Sequence, residues 1–454
     1  MQKNSKYFLE LLMIRFIKIF ALIFFFCAEN SYAAGKVTIL NWQENSNLTE
    51  SGKNSEILIQ AQIKDLPPQY VMTSFSVTFD PSQKIKVSKV LCDDVAAQYA
   101  FSNNNLAIKF PKSKKNNETI WIYFSYEEHY EKLNKFLREE AILIPDFAVG
   151  AKAKVAINFA ENLESATLNS HIIKEPNRFI YSNIVPANGV REIVKLTPSQ
   201  SVWEVNVQIK MSSDKALNKI SFSFPDYFQS PGQKVENYVI ASDGTAIDQK
   251  VEKKRRTLTF NTIAKEITVQ NRAKISTGKK FRQNFIRDPN HYLKFTAEEQ
   301  ILLSSTLENI KKNPQYSDLP LYAKIGKFTH EFIKYDASYV GKLPPVKEIL
   351  RNPVGVCTEY ASLYSALARI AGIPSIIIHG GACGEYNKCE GHSWNMIYQQ
   401  GKWIEVDPTW NLMSGVVSSS HIYFNDEDND QIISEYDGGN MVNAVIDLQI
   451  KNLF

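Results

Sequence analysis

Three residues of this chain could carry covalent chemistry. Gly355-Val356-Cys357 places a thiol in the first turn of an expected helix that runs from about Val356 to Ala371 and is stopped by Gly372 and Pro374. Unpaired amide N–H groups and aligned peptide dipoles at a helix start favour a thiolate, the form that attacks a carbonyl carbon. His392 opens, and Asp407 closes, the two strands of an expected hairpin, His392 to Tyr398 and Trp403 to Asp407, around a turn at Gln399 to Lys402. Antiparallel pairing brings residues in such positions within a residue or two of facing each other. The order Cys, His, Asp then supplies a nucleophile, its base, and a carboxylate that fixes the tautomer of the base.

Each member also has an ordinary structural reading: Cys357 as core, His392 as a strand-edge histidine, Asp407 as a turn former ahead of Pro408. The three gain weight together because they fall at the ends of adjacent elements, with Trp394, Trp403 and Trp410 around them. His379 is a rival base, but it ends the apolar strand Ser375 to His379 and reads as structural. The catalytic assignment is therefore Cys357, His392 and Asp407, with no cofactor and no metal.

The elements that must hold these residues divide the chain in two. From about Lys36 to Ile275 the pattern alternates with period two, as in Phe75, Val77, Phe79; Ala153, Val155, Ile157, Phe159; and Trp203, Val205, Val207, Ile209. Turn signals separate the runs, as in β-sandwiches, and the length suits two such domains, 36–150 and 151–280. The segment Glu127 to Ala141 reads as a helix inserted near their boundary. After Ile275 the period changes. Thr296-Ala297-Glu298-Glu299 is a capping box followed by Ile301, Leu302, Leu307 and Ile310; Pro320 opens a second helix with Leu321, Ile325, Phe328 and Phe332 as its apolar stripe. The expected fold is multidomain: an all-β, sandwich-like N-terminal region followed by an α+β core over 290–454.

The chain has 454 residues, 44% hydrophobic and 22% charged, which excludes disorder and low complexity and allows several domains with their own cores. Residues 1–33 read as a secretory signal peptide: Arg15 and Lys18 precede the apolar run Ile19 to Ala28, and Ser31 and Ala33 suit cleavage after Ala33. The apolar run is shorter than the ~20 residues that span a bilayer; an uncleaved anchor is the competing reading. Removing 1–33 takes away Lys3, Lys6, Arg15 and Lys18 against Glu10 and Glu29, which lowers the net charge from +4 to +2. The clusters Lys112 to Lys115 and Lys253 to Arg256 read as solvated hairpin ends, so neither nucleic acid nor stable membrane insertion is expected. The expected location is secreted or periplasmic.

Of five cysteines, Cys27 leaves with the leader, and Cys383 and Cys389, six apart, read as one disulfide closing a short loop. A zinc site is the alternative, disfavoured by the spacing and the lack of a second pair. Cys92 and Cys357 remain unpaired. The acidic run Asp426 to Asp430 lacks the ligand spacing of a calcium loop and reads as a solvated turn.

Four blocks in order resemble the transglutaminase-like superfamily: Gly355-Val356-Cys357-Thr358-Glu359-Tyr360-Ala361; Ala371-Gly372-Ile373-Pro374; His392-Ser393-Trp394; and Trp403-Ile404-Glu405-Val406-Asp407-Pro408-Thr409. Phe332 to Asp336 fits the lead-in helix, and the resemblance covers about residues 296–423. It implies a papain-like α+β core with Cys357 as nucleophile, His392 as general base and Asp407 as its partner. Val356 and Thr358 bracket the cysteine where Gln and Trp usually do in the cross-linking enzymes of animals, so the chain looks more similar to the bacterial and archaeal branch. Three functions follow: an exported thiol peptidase or amidase working through a thioester, a transamidase, and a noncatalytic adhesion or scaffold protein that keeps the core for its shape. The expected partner is a peptide or protein substrate, with cell-wall peptide among the candidates.

Overall fold

The computed structural model describes residues 36–453 apart from residues 50 and 167 and segments 80–82, 131–136, 169–170, 214–219, 226–232, 244–245, 253–254, 261–265, 279–286, 385–388, 429–432 and 437–441. The expected leader at 1–33 lies outside the described residues, as do Lys253 and Lys254. The chain forms two compact units. One comprises residues up to 133 with 139–163 and 169–195; the other comprises 134–138, 164–168 and everything from 196.

The N-terminal unit is β-structure, as the alternation predicts. Gly52–Lys64 buries Ile57, Ile59, Ala61 and Ile63 on one face, the signature of a half-solvated strand. It lies between Lys36–Thr49 and Thr119–His129 in an eight-stranded sheet. Lys152–Asn158 runs parallel to Lys36–Thr49 in that same sheet, with Trp42 opposite Ala153. A boundary at 150 would therefore cut one sheet in two, and the unit ends near 195 instead.

The helix expected over Glu127 to Ala141 is corrected as well. Thr119–His129 and Arg138–Ile144 are strands, with 131–136 outside the described residues. Charged residues at inward positions disguised the first of these strands. Glu128, 4% exposed, is met by Lys53 at 3.4 Å and by the Gln83 amide at 3.0 Å, so a buried strand position carries a residue that composition assigns to a helix surface.

The second unit joins a β layer to the α+β core. Gln200–Ser213 turns Trp203, Val205, Val207 and Ile209 inward, and pairs on one side with Glu266–Gly278. On its other side it pairs with Val442–Asn452 near the C-terminus, Trp203 opposite Asn452. Ile433–Tyr436 likewise completes the facing four-stranded sheet beside Ile220–Pro225. The division of 151–280 from 290–454 thus gives way to one unit from 196 onward, because the C-terminal strands cover edges that the earlier strands leave open. Cys383 and Ile422 of the core pack into the same apolar cluster as Trp203 and Ile275.

In the core, the Thr296 capping box forms as expected: Thr296 Oγ1 accepts from Glu299 N at 3.1 Å, and Glu299 Oε2 accepts from Thr296 N at 2.7 Å. The helix Ala297–Lys312 buries Leu303, Leu307 and Ile310, whereas Ile301 is 82% exposed, so its inward stripe starts two residues later than the sequence pattern suggests. Leu321–Phe332 follows, then Cys357–Ile370, whose Leu363, Tyr364, Leu367 and Ala368 are fully buried. Against this central helix lies an antiparallel sheet in the order Leu412–Gly415, Lys402–Asp407, Cys389–Gln399, Ser375–Cys383, Ile422–Asp426. Its hairpin turns at Gln400 and Gly401, both at positive φ, the backbone twist that a two-residue connection needs. Among the described residues no helix is long and apolar enough to cross a membrane.

Candidate active site

Cys357 stands at the start of its helix because Gly355 and Glu359 fold the entry tightly. The buried Glu359 carboxylate accepts from Val356 N at 2.7 Å and from the Thr358 hydroxyl at 3.0 Å. A Cβ on Gly355 would lie 2.5 Å from Glu359 Cβ, so this corner requires glycine. Val356 O takes the amides of Glu359 and Tyr360. The Cys357 and Thr358 amides, as first-turn groups, have no intrahelical acceptor and point their dipole at whatever sits beside the thiol.

The hairpin supplies the other two residues. Asn395 faces Val406, which sets His392 diagonally across from Asp407 on the same face of the sheet. His392 Nε2 lies 2.9 Å from Asp407 Oδ2. Asp407 has no solvent exposure, and its Oδ1 accepts from Thr409 N at 2.8 Å and Trp410 N at 3.2 Å. Nδ1 is the ring nitrogen left over, and Cys357 lies close enough to His392 to favour its charge. The structure thus brings together all three residues singled out from the sequence.

The electrostatics favour a charged imidazole paired with the Asp407 carboxylate. Burial opposes a charge on His392, but the Asp407 carboxylate outweighs it by charge and hydrogen bond, with Cys357 adding to the effect, and the imidazole is pushed up to about 10. Burial likewise opposes ionised Asp407, yet His392 and hydrogen bonds from both neighbouring histidines hold its carboxyl well below the usual range. Tyr335 borders the thiol: burial first, then the charges of Cys357, Glu390 and Glu359, push its phenol up to about 12. The other free cysteine, Cys92, is buried in the N-terminal unit, where burial and then Asp93 push its thiol up to about 11, the opposite of a nucleophile's environment.

Aromatic rings fix the imidazole. Trp410 stacks on His392 with centroids 4.9 Å apart, and Trp394 stacks at 6.1 Å. Trp403, expected beside the triad, instead packs on Tyr292 and Tyr398 and donates to Arg287 O. Opposite Tyr398, it lies on the same sheet face as Asp407 but four residues further along the strand, away from the triad. His379 bonds to Ser393 Oγ at 3.0 Å, which fits its structural reading. Cys383 and Cys389 form the expected disulfide, bridging directly opposed strand positions, and a Cβ on the following Gly384 would lie 3.8 Å from Trp410.

His421 escaped sequence reading. Its Nε2 lies 3.1 Å from Asp407 Oδ2, and its Nδ1 lies 3.1 Å from Ser418 O. No spacing rule points to it; the one trace is a polar Ser418 to His421 run ahead of an apolar strand. Burial and the charge of His392 pull His421 down against the upward pull of Asp407. Among the described residues His392, Asp407 and His421 are a grouping with metal-ligand chemistry. Their nitrogen-to-oxygen contacts are ordinary hydrogen-bond lengths, and Oδ1 is already taken by two amides, so hydrogen bonding accounts for the cluster. The acidic run is not a solvated turn where it is described: Asp426 binds Arg287 and Tyr423, Glu427 binds Arg369, and Asp428 accepts from Tyr292.

An α+β core whose central helix opens with a cysteine facing a His–Asp pair is the arrangement of a cysteine-dependent enzyme. Residues 309–408 match the transglutaminase-like superfamily. Kyphoscoliosis peptidase of Mus musculus is 31% identical over 80 residues, and that of Homo sapiens 32% over 79, in each case 16% of this chain. The matched part spans 12% of the length of those relatives. Among solved structures, a candidate cysteine protease of Cytophaga hutchinsonii aligns with a TM-score of 0.42 at 13% identity, covering 56% of this chain and 91% of that one. An M1 zinc metallopeptidase of Deinococcus radiodurans aligns at a TM-score of 0.26 and 7% identity, over 37% of this chain and 43% of that chain.

Proposed function

We propose that the protein is an exported thiol hydrolase that cleaves a peptide or side-chain amide through a thioester. The observation that carries this reading is the His392–Asp407 pair, which favours an imidazolium beside a cysteine at a helix start. In the proposed cycle the Cys357 thiolate attacks the amide carbon, and the oxyanion is met by the first-turn amide of Cys357. His392 Nδ1 gives its proton to the departing nitrogen, the C–N bond breaks, and an acyl thioester with free amine results. A water then loses a proton to His392 and attacks the thioester, releasing the acid and returning the thiolate–imidazolium pair. Asp407 keeps its charge throughout and orients the ring.

Export is part of the proposal. It rests on the basic-then-apolar pattern of residues 1–33 and accords with the Cys383–Cys389 disulfide, which persists in oxidising compartments. A peptide or protein substrate follows from the chemistry, with cell-wall stem peptides as one class to include.

The test is to present a mixed peptide library to the intact protein, quench in acid, and identify by mass spectrometry any acyl group on Cys357, with and without millimolar primary amine. The expected result is an acyl adduct on Cys357 that resolves mainly to free acid. A product dominated by the amine adduct would make the protein a transamidase; no adduct from any peptide class would sink the catalytic reading.

A further inference from the structure

Asp407 is held by two histidines. His392 and His421 approach Oδ2 at 2.9 and 3.1 Å, while Oδ1 is committed to backbone amides. The His421 ring sits edge-on to His392 at 5.3 Å and to both Trp394 and Trp410 at 4.9 Å, so it fills the underside of the stack that carries the catalytic base. The charged or titratable groups facing it are Asp407, His392 and Glu405. Without His421, Oδ2 would rest on His392 alone, the one partner that must exchange its proton, and a turn about χ2 would break that contact.

The position of His421 is itself built. Ser418, Ser419, Ser420 and His421 are all buried, which is costly unless every polar group finds a partner. Partners are present: Ser419 N donates to Thr197 Oγ1 at 2.8 Å, Ser419 Oγ meets Ser201 Oγ at 2.7 Å, and Ser419 O accepts from Thr277. Ser418 Oγ meets Ser420 Oγ at 3.1 Å, and His421 N returns to Ser418 O at 3.0 Å. The β layer of the second unit therefore reaches the site through this serine run.

We propose that His421 is a positioning residue whose single ring proton sits on Nε2, because the Asp407 carboxylate is a stronger acceptor than the Ser418 carbonyl; it donates to Asp407 Oδ2, locks the carboxylate in line with His392, and is held there by the β layer through Ser419. The proposal rests on the thiol-enzyme reading above, and its test separates the two. The rate of Cys357 alkylation by iodoacetamide is measured from pH 4 to 9 on the full chain, resolved by peptide mass spectrometry, for wild type, His421→Ala and His421→Gln. This needs no substrate. In wild type, alkylation persists well below the pH at which an ordinary thiol loses reactivity, near 8.5. In His421→Ala the acid limb moves up by about one pH unit, a roughly tenfold loss at pH 5, while the rate at pH 8.5 stays within about twofold. His421→Gln, whose amide offers a donor near the Nε2 position, recovers most of the loss.

A wild-type profile like that of an ordinary thiol would end the thiol-enzyme reading itself. A wild-type acid limb that His421→Ala leaves in place, or a glutamine variant no better than alanine, would overturn the positioning role alone. Should the alanine variant fail to fold, proton NMR of histidine-labelled wild type decides: a downfield Nε2–H signal from His421 that vanishes in Asp407→Asn supports the role, and its absence overturns it.

Discussion

Replacing Asp407 by Asn tests the electrostatic core of the site. The carboxylate accepts four hydrogen bonds: from His392, His421, Thr409 N and Trp410 N. Asparagine has one oxygen, and the two backbone amides are the donors that cannot turn away, so its carbonyl faces them and its NH2 faces both imidazoles. His392 Nε2 must then accept, which puts the ring proton on Nδ1, where it can no longer receive the thiol proton. The carboxylate that pushes His392 up to about 10 is gone, while the burial that opposes its charge remains, so the imidazole falls to its ordinary value of 6.5 or lower. An unpaired thiol titrating near 8.5 is only about 0.3% ionised at pH 6. Iodoacetamide alkylation of Cys357 in Asp407→Asn should accordingly fall by on the order of 100-fold at pH 6 and converge with wild type above about pH 9.5. Loss of turnover should reach about 10³- to 10⁴-fold, the scale seen when the carboxylate of a triad becomes an amide. Unchanged tryptophan fluorescence would show that the packing of Trp394 and Trp410 survives. An alkylation rate at pH 6 within about threefold of wild type, in a folded variant, would refute the argument that the carboxylate sustains the ion pair.

Other consequences can be measured directly. Cys357→Ala should abolish acyl-adduct formation and turnover while leaving the melting temperature within a few degrees, since the side chain is only half-buried. His392, raised, adds stability fully present below pH 6.5 and lost as pH rises toward 10; Asp407, lowered, adds stability present above 3.8 and lost on further acidification. The melting-temperature difference between wild type and Asp407→Asn should therefore peak between about pH 4 and 6.5 and shrink toward pH 10; a gap that widens above pH 8 contradicts this sign. Gly355→Ala, by driving a methyl into Glu359, should lower stability in urea by about 1–3 kcal/mol and slow Cys357 alkylation; no change in either means that the entry corner tolerates a Cβ. Replacing both Cys383 and Cys389 by Ala should cost about 2 kcal/mol in the same assay, with a peptide map of the unreduced wild type showing the 383–389 link.

Features set by neighbouring residues were legible in the chain. The capping box at Thr296, the stop at Gly372, the turn at Gln400-Gly401 and the cysteine at a helix start are each decided by contacts within a few residues, and each appears where the spacing predicts it. The hairpin needed only its turn and alternation to bring His392 and Asp407 to one face. Everything that depends on which distant segment arrives as a neighbour was settled in three dimensions. Alternation marks Trp203 to Ile209 as a strand but cannot say that residues 442–452 pair with it, because strand edges are chemically alike and partner choice follows from the closing of the whole sheet. A helical stripe identifies a face but not its depth, so Ile301 is exposed and Leu303 is buried. Inward Glu128 became legible only once Lys53 and Gln83 stood opposite it. For the same reason His421 is invisible in the chain's order and central in the fold: its role is set by Asp407 across the sheet and by the hydroxyls of Thr197, Ser201 and Thr277, more than 140 residues away.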